Sequence, residues 1–156
     1  MSDMTASESQ WAAVHAWFTT AAALADDASL AHGEVETAKP LRVLIVEDEF
    51  YISLHTRGLL QALGHVVVAV AVSAEQAVSL AEQERPDIVL MDIRLSGTRD
   101  GIEAADEIGE RFGIGSIFVT ANTDHQTRCR AEAVRPLGFL EKPLTEQRLR
   151  HGLSKL

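Results

Sequence analysis

Apolar positions divide the chain into two regimes. In the first, Trp11, Val14, His15, Phe18, Ala22 and Ala25 recur at helical spacing, and Trp17, Ala21 and Leu24 widen the stripe. The spacing predicts an amphipathic helix over 9–25, capped by Ser9. Residues 26–40 lack sustained apolar periodicity and carry Gly33, four acids and a closing Pro40, which reads as a linker. Forty residues are too few for an independent core. A helix with this much apolar surface is therefore expected to dock on its own domain or on a second copy of the chain.

From Leu41 onward, short apolar runs alternate with helical patterns. Strands are predicted over 41–46, 65–72, 88–92, 116–120 and 138–141. The run Ile88-Val89-Leu90-Met91 has no polar alternation, so it predicts a strand buried on both faces. Helices are predicted over 50–63, 73–83, about 100–111, about 125–134, and from Thr145 to the end. Ile52, Leu59, Leu60 and Leu63 form the expected inward face of the first, and Leu149, Leu153 and Leu156 that of the last. Gly64 reads as a helix-ending glycine, Ser73 with Gln76 and Asp100 with Glu103 as capping boxes, and Thr145 as a cap. Five strands alternating with five helices imply an α/β fold: a doubly wound, five-stranded parallel sheet over 41–156, preceded by a helix and acidic linker over 1–40.

Composition adds bounds. The chain is 46% hydrophobic and 24% charged, a normal globular profile. Its single cysteine, Cys129, excludes a disulfide framework and fits a reducing, cytoplasmic setting. No stretch reads as a signal peptide or membrane span. The net charge of −9 argues against nucleic-acid and membrane-surface binding. The charge is uneven: residues 125–156 carry seven Lys/Arg against three Glu, while the first forty hold six acids and one Lys.

In a doubly wound sheet the ligand site lies at the carboxyl ends of the strands, near the switch in strand order. Four of the five predicted strands end in a candidate polar group: Glu47 and Asp48, Asp92, Thr120, and Lys142. Three converging carboxylates repel one another unless a cation joins them. Carboxylate, carbonyl and water oxygens suit Mg²⁺ or Mn²⁺, and Mg²⁺ keeps positions open for phosphate oxygens. Lys142 supplies a positive charge for a phosphate and Thr120 a hydroxyl. These parts suit phosphoryl transfer, with an aspartate nucleophile as the economical reading. There is no Gly-rich nucleotide cradle, so ATP is not the evident donor.

Five fragments in order, Val43-Leu-Ile-Val-Glu-Asp-Glu49, Leu90-Met-Asp-Ile93, Asp100-Gly101, Phe118-Val-Thr-Ala121 and Phe139-Leu-Glu-Lys-Pro143, resemble the CheY-like receiver domain of bacterial two-component response regulators. The resemblance covers residues 41–156. It implies a flavodoxin-like strand order 2-1-3-4-5. It implies that Asp92 accepts a phosphoryl group from a sensor histidine kinase or a histidine phosphotransfer protein. Asp48, Glu47 partly through water, Asp92 and the backbone carbonyl of Arg94 would bind Mg²⁺. Lys142 would bind a phosphoryl oxygen, Thr120 and Phe139 would form the switch pair, and Pro143 would follow a cis bond. The chain would catalyse only its own phosphorylation and autodephosphorylation, as part of a phosphorelay, and would not be a turnover enzyme.

Departures from the family pattern are also visible. Leu95-Ser96 stands where the family usually has Met-Pro, and the loop after Asp92 is one residue longer. Both bear on loop geometry and dephosphorylation rate. The switch aromatic is Phe rather than Tyr, which removes a hydroxyl from the output face.

Only 14 residues follow Lys142, so a stand-alone receiver is expected, signalling to an unknown downstream protein through the last two helices and the last strand. A phosphorylation-independent interaction module on the same scaffold is the alternative. An aspartate-based phosphatase would need a second acid two residues after Asp92, where Arg94 stands. The amphipathic N-terminal helix, flanked by the six acids of the first forty residues, could dock on the basic output face, within one chain or in a homodimer, or serve as structural cover.

Overall fold

The computed structural model describes residues 39–121 and 124–156, which lie within the unit Ala38–Leu156. The helix expected over 9–25, most of its linker, and Asn122 and Thr123 lie outside the described residues. Ten elements alternate: β1 (Arg42–Val46), α1 (Phe50–Ala62), β2 (Val66–Ala71), α2 (Ala74–Glu84), β3 (Ile88–Asp92), α3 (Gly101–Phe112), β4 (Gly115–Thr120), α4 (His125–Ala133), β5 (Gly138–Glu141) and α5 (Glu146–Leu153). The strands form one sheet in the order β2-β1-β3-β4-β5, and every neighbouring pair is parallel. This is the flavodoxin-like order 2-1-3-4-5. The chain leaves β1 toward β2 on one side and returns to β3 on the other, so the switch point lies between β1 and β3.

Alternation along the central strands divides the core into two layers. Leu44, Val46, Val89, Met91 and Phe118 face α2, α3 and α4, where Ala77, Ala81, Ala104, Ile108 and Ala131 meet them. Val43, Ile45, Leu90, Ile117 and Val119 face the opposite way, onto Leu60 of α1 and Leu149 and Leu153 of α5. Every residue of β3 is buried, as its unbroken apolar run requires.

Helix ends follow their residues. Gly64, at φ +84°, closes α1: its N–H bonds Gln61 O and the His65 N–H bonds Leu60 O, the paired pattern of a Schellman motif. Asp100 caps α3 by accepting from Ile102 and Glu103 N–H, and Glu103 accepts from Asp100 N–H, a complete capping box. At α2 the box is shifted. Ser73 Oγ accepts from Gln76 N–H, but Gln76 Oε1 takes the N–H of Val72, one residue before the cap. Thr145 caps α5 and Asp124 caps α4.

Two inward faces differ from the apolar pattern. In α1 the buried positions are Ser53, Thr56, Arg57 and Leu60, while Ile52, Leu59 and Leu63 are half-buried. These four follow the i, i+3, i+4, i+7 stripe, so geometry places them inward although three are polar. Ser53 satisfies its hydroxyl on Phe50 O. Leu156 is exposed because α5 ends at Leu153, and helical spacing no longer sets its direction.

Candidate functional site

The carboxyl edge of the sheet gathers the strand-end groups. The ladder continues past β1, with Glu47 N–H bonding Ala71 O at 2.9 Å, so Glu47 is delivered in register and Asp48 follows. Asp92 closes β3 opposite Val119. Past β5, Lys142 N–H bonds Thr120 O at 2.8 Å, which fixes the base of the lysine beside the end of β4. The Lys142–Pro143 peptide bond is cis.

Glu47, Asp48 and Asp92 each present a carboxylate oxygen within 4.8 Å of the others. Glu47 and Asp92 are buried, at 4% and 7% exposure, and Asp48 is half-buried. Lys142 Nζ donates to Glu47 Oε2 and to Asp92 Oδ2, both at 2.6 Å. The other Asp92 oxygen, Oδ1, accepts the N–H of Arg94 at 2.9 Å. Thr120, at the end of β4, is buried. Among the described residues, then, one ammonium faces three acids.

Electrostatics record the imbalance. Burial pushes the Glu47 carboxyl up to about 7 against the pull of its hydrogen bond from Lys142, and the Asp92 charge adds to the rise. Burial also works against the Lys142 ammonium, but hydrogen bonds to Asp92 and Glu47 outweigh it and hold the group above its ordinary value. The ammonium is held in its charged form, and the surplus negative charge shows at Glu47 as a raised proton affinity. Three oxygen donors with surplus negative charge match the chemistry of a small hard divalent cation.

Gly101 brings α3 against the site strand. A Cβ built there would land on the Asp92 carbonyl oxygen, and Gly101 N–H bonds Ile93 O at 3.0 Å. Only a residue without a side chain permits this approach.

Phe139 is half-buried on β5, with its ring 5.7 Å from that of Phe118. The Arg128 guanidinium of α4 covers it at 3.6 Å from the ring centroid. The arginines that made residues 125–156 look basic are largely engaged within the domain. Arg128 pairs with Glu132, Arg130 with Asp100, Arg148 with Glu141 and Arg150 with Glu146. The face is less positive than its sequence suggests.

Sequence reasoning missed one contact at the site. Ser96, in the loop after β3, donates its N–H to Asp48 Oδ2 at 3.0 Å and its hydroxyl to the same oxygen. The available signal was a hydroxyl beside Gly97, where the family usually has proline.

A family model described as the response regulator receiver domain matches residues 43–154. The chain is 35% identical over 112 residues to the transcriptional regulatory protein PdtaR of Mycobacterium tuberculosis, covering 72% of this chain and 54% of that protein. It is 38% identical over 80 residues to the phyllosphere-induced regulator PhyR of Methylorubrum extorquens, covering 51% of this chain and 30% of PhyR. It thus spans about half of the first relative's length and less of the second's. The crystal structure of the signal receiver domain of a modulated diguanylate cyclase from Desulfovibrio desulfuricans is similar at a TM-score of 0.71 and 37% identity, covering 74% of this chain and 92% of that one. The matched span, the strand order and these likenesses agree: the chain belongs to the response regulator receiver domain family.

Proposed function

We propose that the protein accepts a phosphoryl group on Asp92 from a phosphohistidine of a sensor kinase or phosphotransfer protein. The carrying observation is the Asp92 carboxylate held by Lys142 at 2.6 Å inside a cluster of three acids. An Asp92 oxygen attacks phosphorus, a P–O bond forms, and the P–N bond to the imidazole breaks. Glu47, Asp48, Asp92 and the carbonyl of Arg94 would hold Mg²⁺. The ion would supply charge neutralisation on the phosphoryl oxygens. Lys142 trades a carboxylate oxygen for a phosphoryl oxygen, and Thr120 donates its hydroxyl. Phe139, already against Phe118, reports the change to the face of α4, β5 and α5, where a downstream protein binds. No turnover of a separate substrate is required of this site.

A donor must present its imidazole at the carboxyl edge, so its docking surface has to border Lys142. A cleft of about 420 Å³ does so, lined by Tyr51, Ile52, His55, Thr56, Pro143 and Leu144. Tyr51 is 81% exposed, which leaves an apolar anchor for a partner. Cys129 is an exposed free thiol, and no described helix is long and apolar enough to cross a membrane.

The competing reading keeps the fold as an interaction module without phosphorylation. Incubation with acetyl phosphate and Mg²⁺, followed by intact-mass measurement, separates the two. Wild type gains one phosphoryl group and Asp92→Asn gains none. A wild type that stays unmodified beside a labelled control receiver rejects the proposal.

A further inference from the structure

We propose that Ser96 is a positioning residue of the divalent-cation site, holding Asp48 in place to receive the ion. The inference rests on the metal reading given above and adds to it a residue from the loop after β3.

Lys142 reaches Glu47 and Asp92. Asp48, the third acid, is held instead by Ser96, whose backbone N–H and hydroxyl both donate to Oδ2. The two residues are 48 positions apart, so this contact closes the loop onto the end of β1. A carboxylate has two oxygens and needs only one for the ion. Two donors on Oδ2 fix the group's rotamer while leaving the other oxygen available. Carboxylate ligands in metal sites are commonly held this way, and losing such a partner weakens metal affinity by roughly 10–100-fold.

Position 96 also explains why the contact belongs to this chain. The proline usual at this point in the family has neither an N–H nor a hydroxyl, so it can make neither bond. Gly97, at φ +131°, follows directly and lets the loop turn away after Ser96 has reached Asp48. Ser96 is exposed, so replacing it disturbs no core packing.

The test is calorimetric titration of the full chain with Mg²⁺ alone, in wild type, Ser96→Ala, Ser96→Thr and Ser96→Pro, with thermal midpoints measured without metal. Ser96→Ala is expected to weaken Mg²⁺ binding about tenfold and Ser96→Pro further, within the range above. Ser96→Thr, which keeps both donors, is expected to bind like wild type, and metal-free midpoints for Ala and Thr to match wild type. If wild type binds and Ser96→Ala binds equally well, the positioning role is wrong while the metal site stands. Tighter binding by Ser96→Ala also overturns the proposal, because the hydroxyl would then compete with the ion for Asp48. If wild type binds no Mg²⁺, the metal reading itself falls, and this inference with it.

Discussion

Lys142 Nζ lies 2.6 Å from Asp92 Oδ2, and the same ammonium holds Glu47 at an equal distance. One cation thus compensates two buried acids. Lys142→Met would leave both carboxylates without it. Removing one partner of a buried ion pair costs about 3–5 kcal/mol. A loss near 3 kcal/mol is expected by urea denaturation at pH 8 without metal. Added Mg²⁺ is expected to restore more stability to the variant than it adds to wild type.

Gly101→Ala places a methyl group on the Asp92 carbonyl oxygen. The backbone on both sides is fixed, by β3 and by the capping box at Asp100, so neither can yield cheaply. Overpacking costs about 1–3 kcal/mol where side chains can adjust. Here a loss of about 3 kcal/mol or more is expected, read as a lowered denaturation midpoint. Gly58→Ala serves as a control, because nothing lies within 4 Å of a Cβ there.

Arg57 is 6% exposed, and its Nε is buried without a hydrogen-bond partner. Burial alone lowers its guanidinium from the ordinary value. An unsatisfied buried donor costs about 1–3 kcal/mol. Arg57→Met keeps most of the packed stem and removes the donor. It is expected to raise stability by about 1 kcal/mol, and an equal or lower midpoint would contradict that account.

His65 Nδ1 accepts the N–H of Leu41 at 3.2 Å, and burial lowers the imidazole from its ordinary 6.5. Unfolded chains therefore take up a proton at a higher pH than folded ones. Stability from this group is complete above about pH 6.5 and is lost as pH falls through the lower folded value. Urea midpoints between about pH 7.5 and 5.5 should fall more steeply for wild type than for His65→Gln. Parallel slopes would assign the acid sensitivity elsewhere.

The sheet was legible because its strands are written as uninterrupted apolar runs, such as Val43 to Val46 and Ile88 to Met91, each ending in a polar residue. A parallel, doubly covered sheet leaves those residues few other arrangements. The convergence of Glu47, Asp48, Asp92 and Lys142 on one edge follows from strand direction alone. What stayed hidden lacks periodicity. Ser96 meets Asp48 through a loop, where spacing carries no signal. The pairing of Arg130 with Asp100 joins two helices, so a count of charges along the chain overstated the positive face. In α1, apolarity pointed to Leu59 and Leu63, while the helix phase set by Leu60 turned Ser53, Thr56 and Arg57 inward.

Gly101 also acts on the loop that precedes it. Its bond to Ile93 O and its fit against Asp92 clamp the two ends of residues 94–100 together. A segment tied at its base can change length without displacing what it connects, which is how one additional residue is accommodated with α3 still seated. Ser96, Gly97 and Thr98 lie exposed beyond the clamp. Thr98 is consequently a natural attachment point for an optical probe, exposed and two residues from the contact with Asp48.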